Sequence, residues 1–417
     1  MVQPLTQHPD AIAPEFMRLL LDTTPLNPNC KPMLSALITM ITLLGCLLLL
    51  MAGLGALYCV ISALSFHRFL ASGQSIAGRN EPVTILKPLH GDEPCLAENL
   101  ATFLQQQHDG PTQLICGVQR ADDPAIAVVD TLRARYPNAA IDLVINPALH
   151  GANAKISNLI NMMDKAAHPI LILSDSDIAV APDYLTRVLA ALHMPNIGAV
   201  TCLYRGRGDA GFWSQMGAAG LSYQMLPGAA FGVATGLATP CMGSTIAMRR
   251  ETLGQIGGFA RFADVLADDY AIGEAVRALG LNVAVPPMIV THGSTERSLA
   301  ELWRHELRWG ATVRSLVPLG YIGSIIAMPF PLALIGAFMA PAHWAGWAIA
   351  AAALLARLIV VLAVDAKVGI SSAPLWLLPL RDCLTLAVFI ASFFVRVVDW
   401  RGSALQMKPL GRISPRK

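Results

Sequence analysis

Two aspartates two residues apart, Asp175 and Asp177, follow an aliphatic run in "HPILILSDSDIAV", residues 168–180. Carboxylates are almost never fully buried unless something pairs with them. Their oxygens suit hard divalent cations such as Mg2+ or Mn2+, and Mg2+ completes its shell with water and substrate phosphates. A loop after a strand also uses Asp and Ser, so this pair alone leaves a metal site and a turn equally open. Asp268 and Asp269 form a second acid pair, at the start of the helical pattern "ADDYAIGEAV". A third group lies in "SLAELWRHELRWG", where Arg304 and Arg308, and His305 and Trp309, are i, i+4 neighbours. An arginine fork with a tryptophan suits a diphosphate leaving group. The same helix lying flat on a bilayer would set its arginines against lipid headgroups. Ser298 and Glu301 give it a capping box.

These residues need a scaffold, and residues 81–315 supply one. "PVTILKPL" contains a strand over 83–86 and "LAENLATFLQQ" a helix; "TQLICGVQ", "IDLVI" and "PILILSD" read as strands. "PAIAVVDTLRARY" and "AKISNLINMMDKA" read as the helices between them. Strands alternating with crossover helices predict a parallel α/β sheet, with ligands bound at the carboxyl ends of the strands. Lys87, Asp122, Asp123, Asp175 and Asp177 all fall just after strands. No G-x-G-x-x-G follows the first strand and no G-x-x-x-x-G-K-[ST] occurs, so dinucleotide and P-loop readings lose their main support.

Composition puts the ends of the chain in a membrane. Only 14% of the 417 residues are charged and 54% are hydrophobic, against about 25% charged in soluble domains. The excess is terminal. Residues 33–66 carry no charge and predict a signal-anchor span after an N-terminal segment, 1–32. Residues 317–398 predict two or three more: 317–340, 344–364 interrupted by Arg357, and 375–398 with Arg381 and Asp382 near its edge. Arg18 and Lys31 before the first span balance Arg68 and Arg79 after it, so the positive-inside count is a tie. The tail, 399–417, is basic and favours the cytoplasm. Residues 210–248 contain no Asp, Glu, Lys or Arg. A span there would separate Asp175 from Asp269, so the stretch reads as an apolar acceptor shelf at the bilayer surface, or else as buried core. A net charge of +2 without a Lys/Arg stripe gives no nucleic-acid footprint. Eight cysteines without C-x-x-C spacing suggest neither zinc nor a disulfide framework.

Together "GVQRADDPA", "LSDSDI", "GGF" with "ADDY", and "HELRW" resemble, in order and spacing, the three aspartate motifs and the (Q/R)xxRW motif of family 2 and family 21 glycosyltransferases. "ILKPLHG" and "GANAKISNLIN" narrow the resemblance to the ceramide-glucosyltransferase-like group. Within it the chain looks most like the bacterial hopanoid-biosynthesis glycosyltransferases.

The resemblance implies a GT-A fold over 81–315, a UDP-sugar donor, Mg2+ or Mn2+, inversion at the anomeric carbon and a membrane lipid acceptor. By position, Asp123 looks like the uridine contact, Asp175 the diphosphate–metal aspartate and Asp177 the second metal ligand. Asp269 resembles the base, with Asp268 supporting the helix start or exchanging roles with it. Arg308 and Trp309 match the final Arg-Trp, and Lys87 and Pro88 join them as donor-site residues. Lys155 either contacts phosphate or is a solvated lysine at a helix start. The first position of (Q/R)xxRW is His305, and Arg304 could replace it only by rotating the helix. The expected activity is therefore a UDP-sugar-dependent hexosyltransferase of the bacterial inner membrane with its catalytic domain in the cytoplasm. It would move one sugar, from UDP-GlcNAc or UDP-glucose, to a hopanoid polyol such as bacteriohopanetetrol. Alternatives are ceramide glucosylation, a processive polysaccharide synthase, and an inactive membrane scaffold.

Overall fold

The computed structural model describes residues 30–73, 80–340, 344–395, 397–400, 403–407 and 413–415. The N-terminal segment expected over 1–32 lies outside them up to residue 29. The chain opens with one long helix, α1 (Cys30–Ala71). A Rossmann-like half follows: β1 (Val83–Pro88), α2 (Leu96–Leu104), β2 (Thr112–Val118), α3 (Ala125–Arg135), β3 (Ala140–Ile145), α4 (Ala154–Met162) and β4 (Ile170–Leu173). These strands pair in parallel in the order β3-β2-β1-β4. Every residue of β1 and β4 is buried, as expected for parallel strands covered on both faces. Gly117 of β2 allows α4 to come close, because a Cβ there would lie 2.3 Å from Asn158 Oδ1. Asn158 Nδ2 instead donates to the Gly117 carbonyl at 2.7 Å, fixing the helix whose first turn carries Lys155.

Beyond β4 the sheet is not parallel, contrary to expectation. The elements are β5 (Ile178–Ala179), α5 (Tyr184–Leu192), β6 (Ile197–Val200), β7 (Leu203–Gly208), α6 (Phe212–Gly220), a π-helical turn (Leu221–Met225) and α7 (Leu226–Thr235). Then come β8 (Ile246–Arg249), α8 (Arg250–Gln255), α9 (Asp268–Ala278), β9 (Asn282–Ala284) and β10 (Ile289–Ser294). β8 inserts antiparallel between β4 and β6, and β9 adds parallel to β6. A second small sheet has the order β5-β10-β7. Helices α2, α3 and α5 cover one face of the main sheet; α4 and α9 cover the other.

The membrane side begins with α10 (Leu299–Leu316), α11 (Pro318–Gly323) and α12 (Pro329–Met339), and ends with α13 (Trp344–Val368) and α14 (Leu378–Ser392). Among the described residues, three helical stretches are each long and apolar enough to cross a membrane: Pro32–Ala71, Trp344–Val368 and Leu375–Ser392. The stretch expected as a span over 317–340 is apolar enough for one but is bent by 71° at Met328, the geometry of a broken span or a re-entrant loop, where Pro329 cannot continue the preceding helix. α14 stops at Ser392, and 397–400, 403–407 and 413–415 form an antiparallel meander, β11 to β13. Arg381 and Asp382 sit 4% and 1% exposed rather than at an interface edge, because both are ion-paired. The 210–248 stretch divides. Its helices pack on α1 and β7, through Met216, Ala219, Leu226 and Ala230, while residues 246–248 are buried strand in the main sheet.

Candidate active site

The site gathers at the carboxyl end of β4. Asp175 and Asp177 leave the strand in a tight turn in which Ile178 N–H donates to the Asp175 carbonyl at 3.3 Å. Lys87, at the end of β1, holds this turn from beneath. Its ammonium donates to Ser174 Oγ at 3.0 Å and to the Asp175 carbonyl at 2.8 Å, and lies 3.6 Å from the Phe103 ring centroid. Burial pushes its pKa down to about 7, against the pull of Asp177 and Asp175. Lys87 is fully buried and Pro88 is buried beside it. Lys87 thus supports the acidic turn from within the fold.

Lys155 is neither a solvated lysine nor remote from the acids. Asn153 caps α4, its side chain accepting from Ile156 N–H at 3.0 Å, and this aims Lys155 at the turn. Its Nζ lies 2.5 Å from Asp175 Oδ1 and 3.5 Å from Asp268 Oδ2. Burial alone would lower the Lys155 pKa, but Asp175, Asp268 and Asp269 outweigh it and raise it. Asp268 and Asp269 occupy the first turn of α9, where the helix dipole favours negative charge. Asn153 Nδ2 donates to Asp268 Oδ1 at 3.3 Å. Burial raises the Asp268 pKa. Burial, then the charge of Asp268, raises that of Asp269 to about 6.

Gly243 joins the two acid pairs. Its N–H donates to Asp269 Oδ2 at 3.1 Å and its carbonyl accepts from Asp175 N–H at 3.2 Å. A Cβ at this position would lie 2.7 Å from Asp175 Oδ2 and 3.1 Å from Lys155 Nζ. Sequence reasoning placed Gly243 within the apolar shelf and missed it.

Asp177 has a different set of partners. Its Oδ2 lies 3.2 Å from His292 Nε2, and its Oδ1 is buried without a hydrogen-bond partner. Tyr204 stacks on His292 at 5.4 Å and Trp309 meets it edge-on at 6.1 Å. Trp309 also meets His305 edge-on at 4.5 Å, and His305 Nδ1 bonds to the buried Glu296. His305 is thus turned to a carboxylate rather than to a diphosphate. Arg304 is exposed and donates to its own helix at Ala300 O, so the helix has not rotated to bring it in. Arg308 is half-buried on the same helix. The Ser298 cap holds, accepting from Glu301 N–H at 3.2 Å, while Glu301 reaches Arg297 N–H, one residue before the expected partner. His292, Tyr204 and Glu296 were not singled out; "HGSTE" before the helix was the only local trace of His292 and Glu296, and Tyr204 had none.

Asp123 stands apart from this cluster. Both its oxygens accept from Gly91 N–H, at 3.0 and 3.1 Å, and Oδ1 also accepts from Ala125 N–H. It ties the β1 and β2 loops together, whereas Asp122 is exposed on Arg120.

Among the described residues no cluster of three or more His, Cys, Asp or Glu is arranged to hold a metal ion. The donors nonetheless fit one. Asp177 Oδ1 is an orphaned buried carboxylate oxygen two residues from Asp175, and two carboxylates suffice for an ion whose shell is completed by water and phosphate.

Residues 46–413 match the family described as glycosyl transferase family 21. The chain belongs to that family. A family 21 glycosyltransferase is a sugar-transferring enzyme, and its apolar helices make this one a membrane protein. It is 26% identical over 374 residues to ceramide glucosyltransferase 3 of Caenorhabditis elegans, covering 84% of this chain and 77% of the relative. It is 25% identical over 231 residues to ceramide glucosyltransferase 1 of the same organism, covering 54% and 48%. The chain thus matches about half the length of the second. In structure it resembles the mannosyltransferase PcManGT of Pyrobaculum calidifontis, solved with GDP-Man and Mn2+. The TM-score is 0.52 at 21% identity, covering 85% of this chain and 98% of that one. That likeness supports the fold, a GT-A type α/β sheet with one N-terminal and two C-terminal apolar helices.

Proposed function

We propose that the protein is an inverting glycosyltransferase that moves a single sugar from a UDP-sugar, UDP-GlcNAc or UDP-glucose, to a hydroxyl of a membrane lipid. The observation that carries this reading is the convergence of Asp175 and Asp269 on Gly243, with Lys155 bridging Asp175 and Asp268, at the strand ends of a family 21 fold. Asp175 and Asp177 would hold Mg2+ or Mn2+, which when bound neutralises charge on the leaving diphosphate. Asp269 accepts the acceptor O–H proton while the acceptor oxygen bonds to the anomeric carbon. The bond from that carbon to the diphosphate oxygen breaks, and UDP departs with the electron pair. One displacement inverts the centre. A base held near neutrality suits this step. Arg308 and Trp309 on α10, and Lys155, complete the donor side, with Arg308 facing the diphosphate charge.

The acceptor in this reading is a hopanoid polyol. Ceramide is the second reading, favoured by the names of the curated relatives. The catalytic domain lies in the cytoplasm of a bacterial cell, where UDP-sugars are made, and the apolar helices sit in the inner membrane. The test is to incubate the full chain in membranes with labelled UDP-GlcNAc or UDP-glucose and each lipid. One added sugar, lost on chelation, is expected. A ladder of products would replace this reading with a processive synthase, and no lipid product with either acceptor would overturn it.

A further inference from the structure

A second feature adjoins the acid cluster. A cavity of about 200 Å³ lies between α6 with its π-helical turn, α10, and the apolar helix α14. Its wall is largely aliphatic and aromatic, built by Leu221, Met225, Met328, Val388 and Phe389. Two hydrogen-bond acceptors interrupt it. Glu296 is 7% exposed; His305 occupies its Oε1, and its Oε2 has no partner. Gln224 donates to the Ala327 carbonyl at 3.0 Å, which fixes its amide, and its Oε1 is likewise buried without a partner. An unpaired buried acceptor costs about 1–3 kcal/mol, so two in one cavity point to a guest that brings donors. Trp309 forms part of the same wall and also touches His292, the partner of Asp177. Through Trp309 the cavity wall thus adjoins the histidine that holds the metal-side acid.

We propose that this cavity is the acceptor subsite, in which Glu296 and Gln224 take hydrogen bonds from the hydroxyl- or amide-bearing head of an uncharged lipid. This rests on the lipid-transferase reading and narrows it. Glu296 is ionised: burial would raise its pKa, but the hydrogen bond and charge of His305 lower it. Glu306 stands in the same wall and holds Arg381 at 2.6 and 2.9 Å, as Glu296 holds His305. A phosphorylated lipid head would be repelled by these carboxylates, whereas an uncharged polyol or amide can donate hydrogen bonds to Glu296.

The experiment uses the full chain in phosphatidylcholine nanodiscs with ceramide or a hopanoid polyol. Glu296→Gln and Gln224→Leu should each raise the acceptor KM about tenfold or more, the range for a hydrogen bond to a charged or buried group. The UDP-sugar KM should move less than twofold. Val388→Phe, which fills the cavity without touching its polar groups, should do the same. If wild type transfers sugar while all three variants keep its acceptor KM, the subsite is wrong and the activity stands. If wild type transfers to neither lipid, the activity is wrong, and photolabelling decides the subsite. Diazirine analogues of both lipids should label residues 216–225 or 384–389. Label confined to the outer faces of α1 and α13 would overturn it. Suppression of the label by polyprenyl phosphate, as strong as by unlabelled ceramide, would overturn the uncharged head.

Discussion

Two buried charge clusters divide this molecule. On the membrane side, Arg357 of α13 grips Asp382 of α14 with two bonds of 2.9 Å and donates a third to the Tyr223 carbonyl at 2.7 Å. Arg381 and Glu306 repeat the bidentate pattern. Each cation there has one acid, and Arg357 and Asp382 are 3% and 1% exposed at the side chain. At the strand ends, Lys155 stands among three acids, Asp175, Asp268 and Asp269. Matched bidentate pairs close on themselves and fix how α10, α13 and α14 meet the π-helical turn. The unmatched set keeps surplus negative charge, which adds to burial in raising the pKa of two of its members and draws cations. Charge balance, more than burial, separates the fastening from the chemistry.

Removing the acid that Lys155 grips should have the largest effect. Asp175→Ala is expected to abolish transfer and to weaken the metal dependence of UDP binding, measured by titration of UDP with and without Mn2+. A variant that binds Mn2+ and UDP as wild type does would place the metal elsewhere. Asp269→Asn should come next. It keeps shape and loses basicity, so turnover should drop at least about 10²-fold, the low end for a general base, with UDP-sugar KM nearly unchanged. Steady-state rates for Asp269→Asn and Asp268→Asn together decide which acid is the base. A dead Asp268→Asn beside an active Asp269→Asn would exchange the roles.

The balanced cluster should respond in stability, not in chemistry. Arg357→Met leaves Asp382 buried and unpaired, which costs about 3–5 kcal/mol for a broken buried pair. Thermal unfolding in nanodiscs should show it. The double change with Asp382→Leu should recover most of the loss, since apolar replacement of a whole buried pair is close to neutral. The folded fraction of either variant should keep the wild-type UDP-sugar KM. A large change in that KM would mean the two clusters are coupled.

How much of this could be read from the chain depends on range. β1 to β4 and their helices were readable because each strand is a continuous apolar run and each helix an amphipathic repeat. β5, β8 and β9 span two to four residues, too short to show a period, and the antiparallel insertion of β8 follows a long helical excursion. Asp175, Asp177, Asp268, Asp269, Arg308 and Trp309 stood out because their motifs are local. Gly243, His292 and Glu296 did not, since their roles arise from partners brought near by folding: Gly243 bridges positions 175 and 269, and His292 meets Asp177 across two strands. Lys155 was readable only as a pair of alternatives until α4 docked on Gly117. Arg381 and Asp382 misled because a charge in an apolar segment looks like its edge when its partner is 75 or 25 residues away.

The smallest expected effect tests the imbalance itself. Asp269 is active as an ionised base, and its pKa is raised to about 6, partly by the charge of Asp268. The rate should therefore be highest near neutrality and fall as pH drops through about 6. Asp268→Asn removes that neighbouring charge and should shift the acid limb downward. At pH 7 the change is slight, because Asp269 is about nine-tenths ionised already at a pKa near 6. At pH 5 it is larger: a limb moved down by about one unit raises the ionised fraction roughly fivefold. The ratio of rates at pH 5 and pH 7 reads this directly and is insensitive to how much active enzyme each preparation contains. A limb that stays in place while turnover falls would make Asp268 a support of Lys155 and α9 alone. A limb that moves upward would mean that Lys155, freed from Asp268, pairs more tightly with Asp175 and leaves Asp269 less stabilised as the anion.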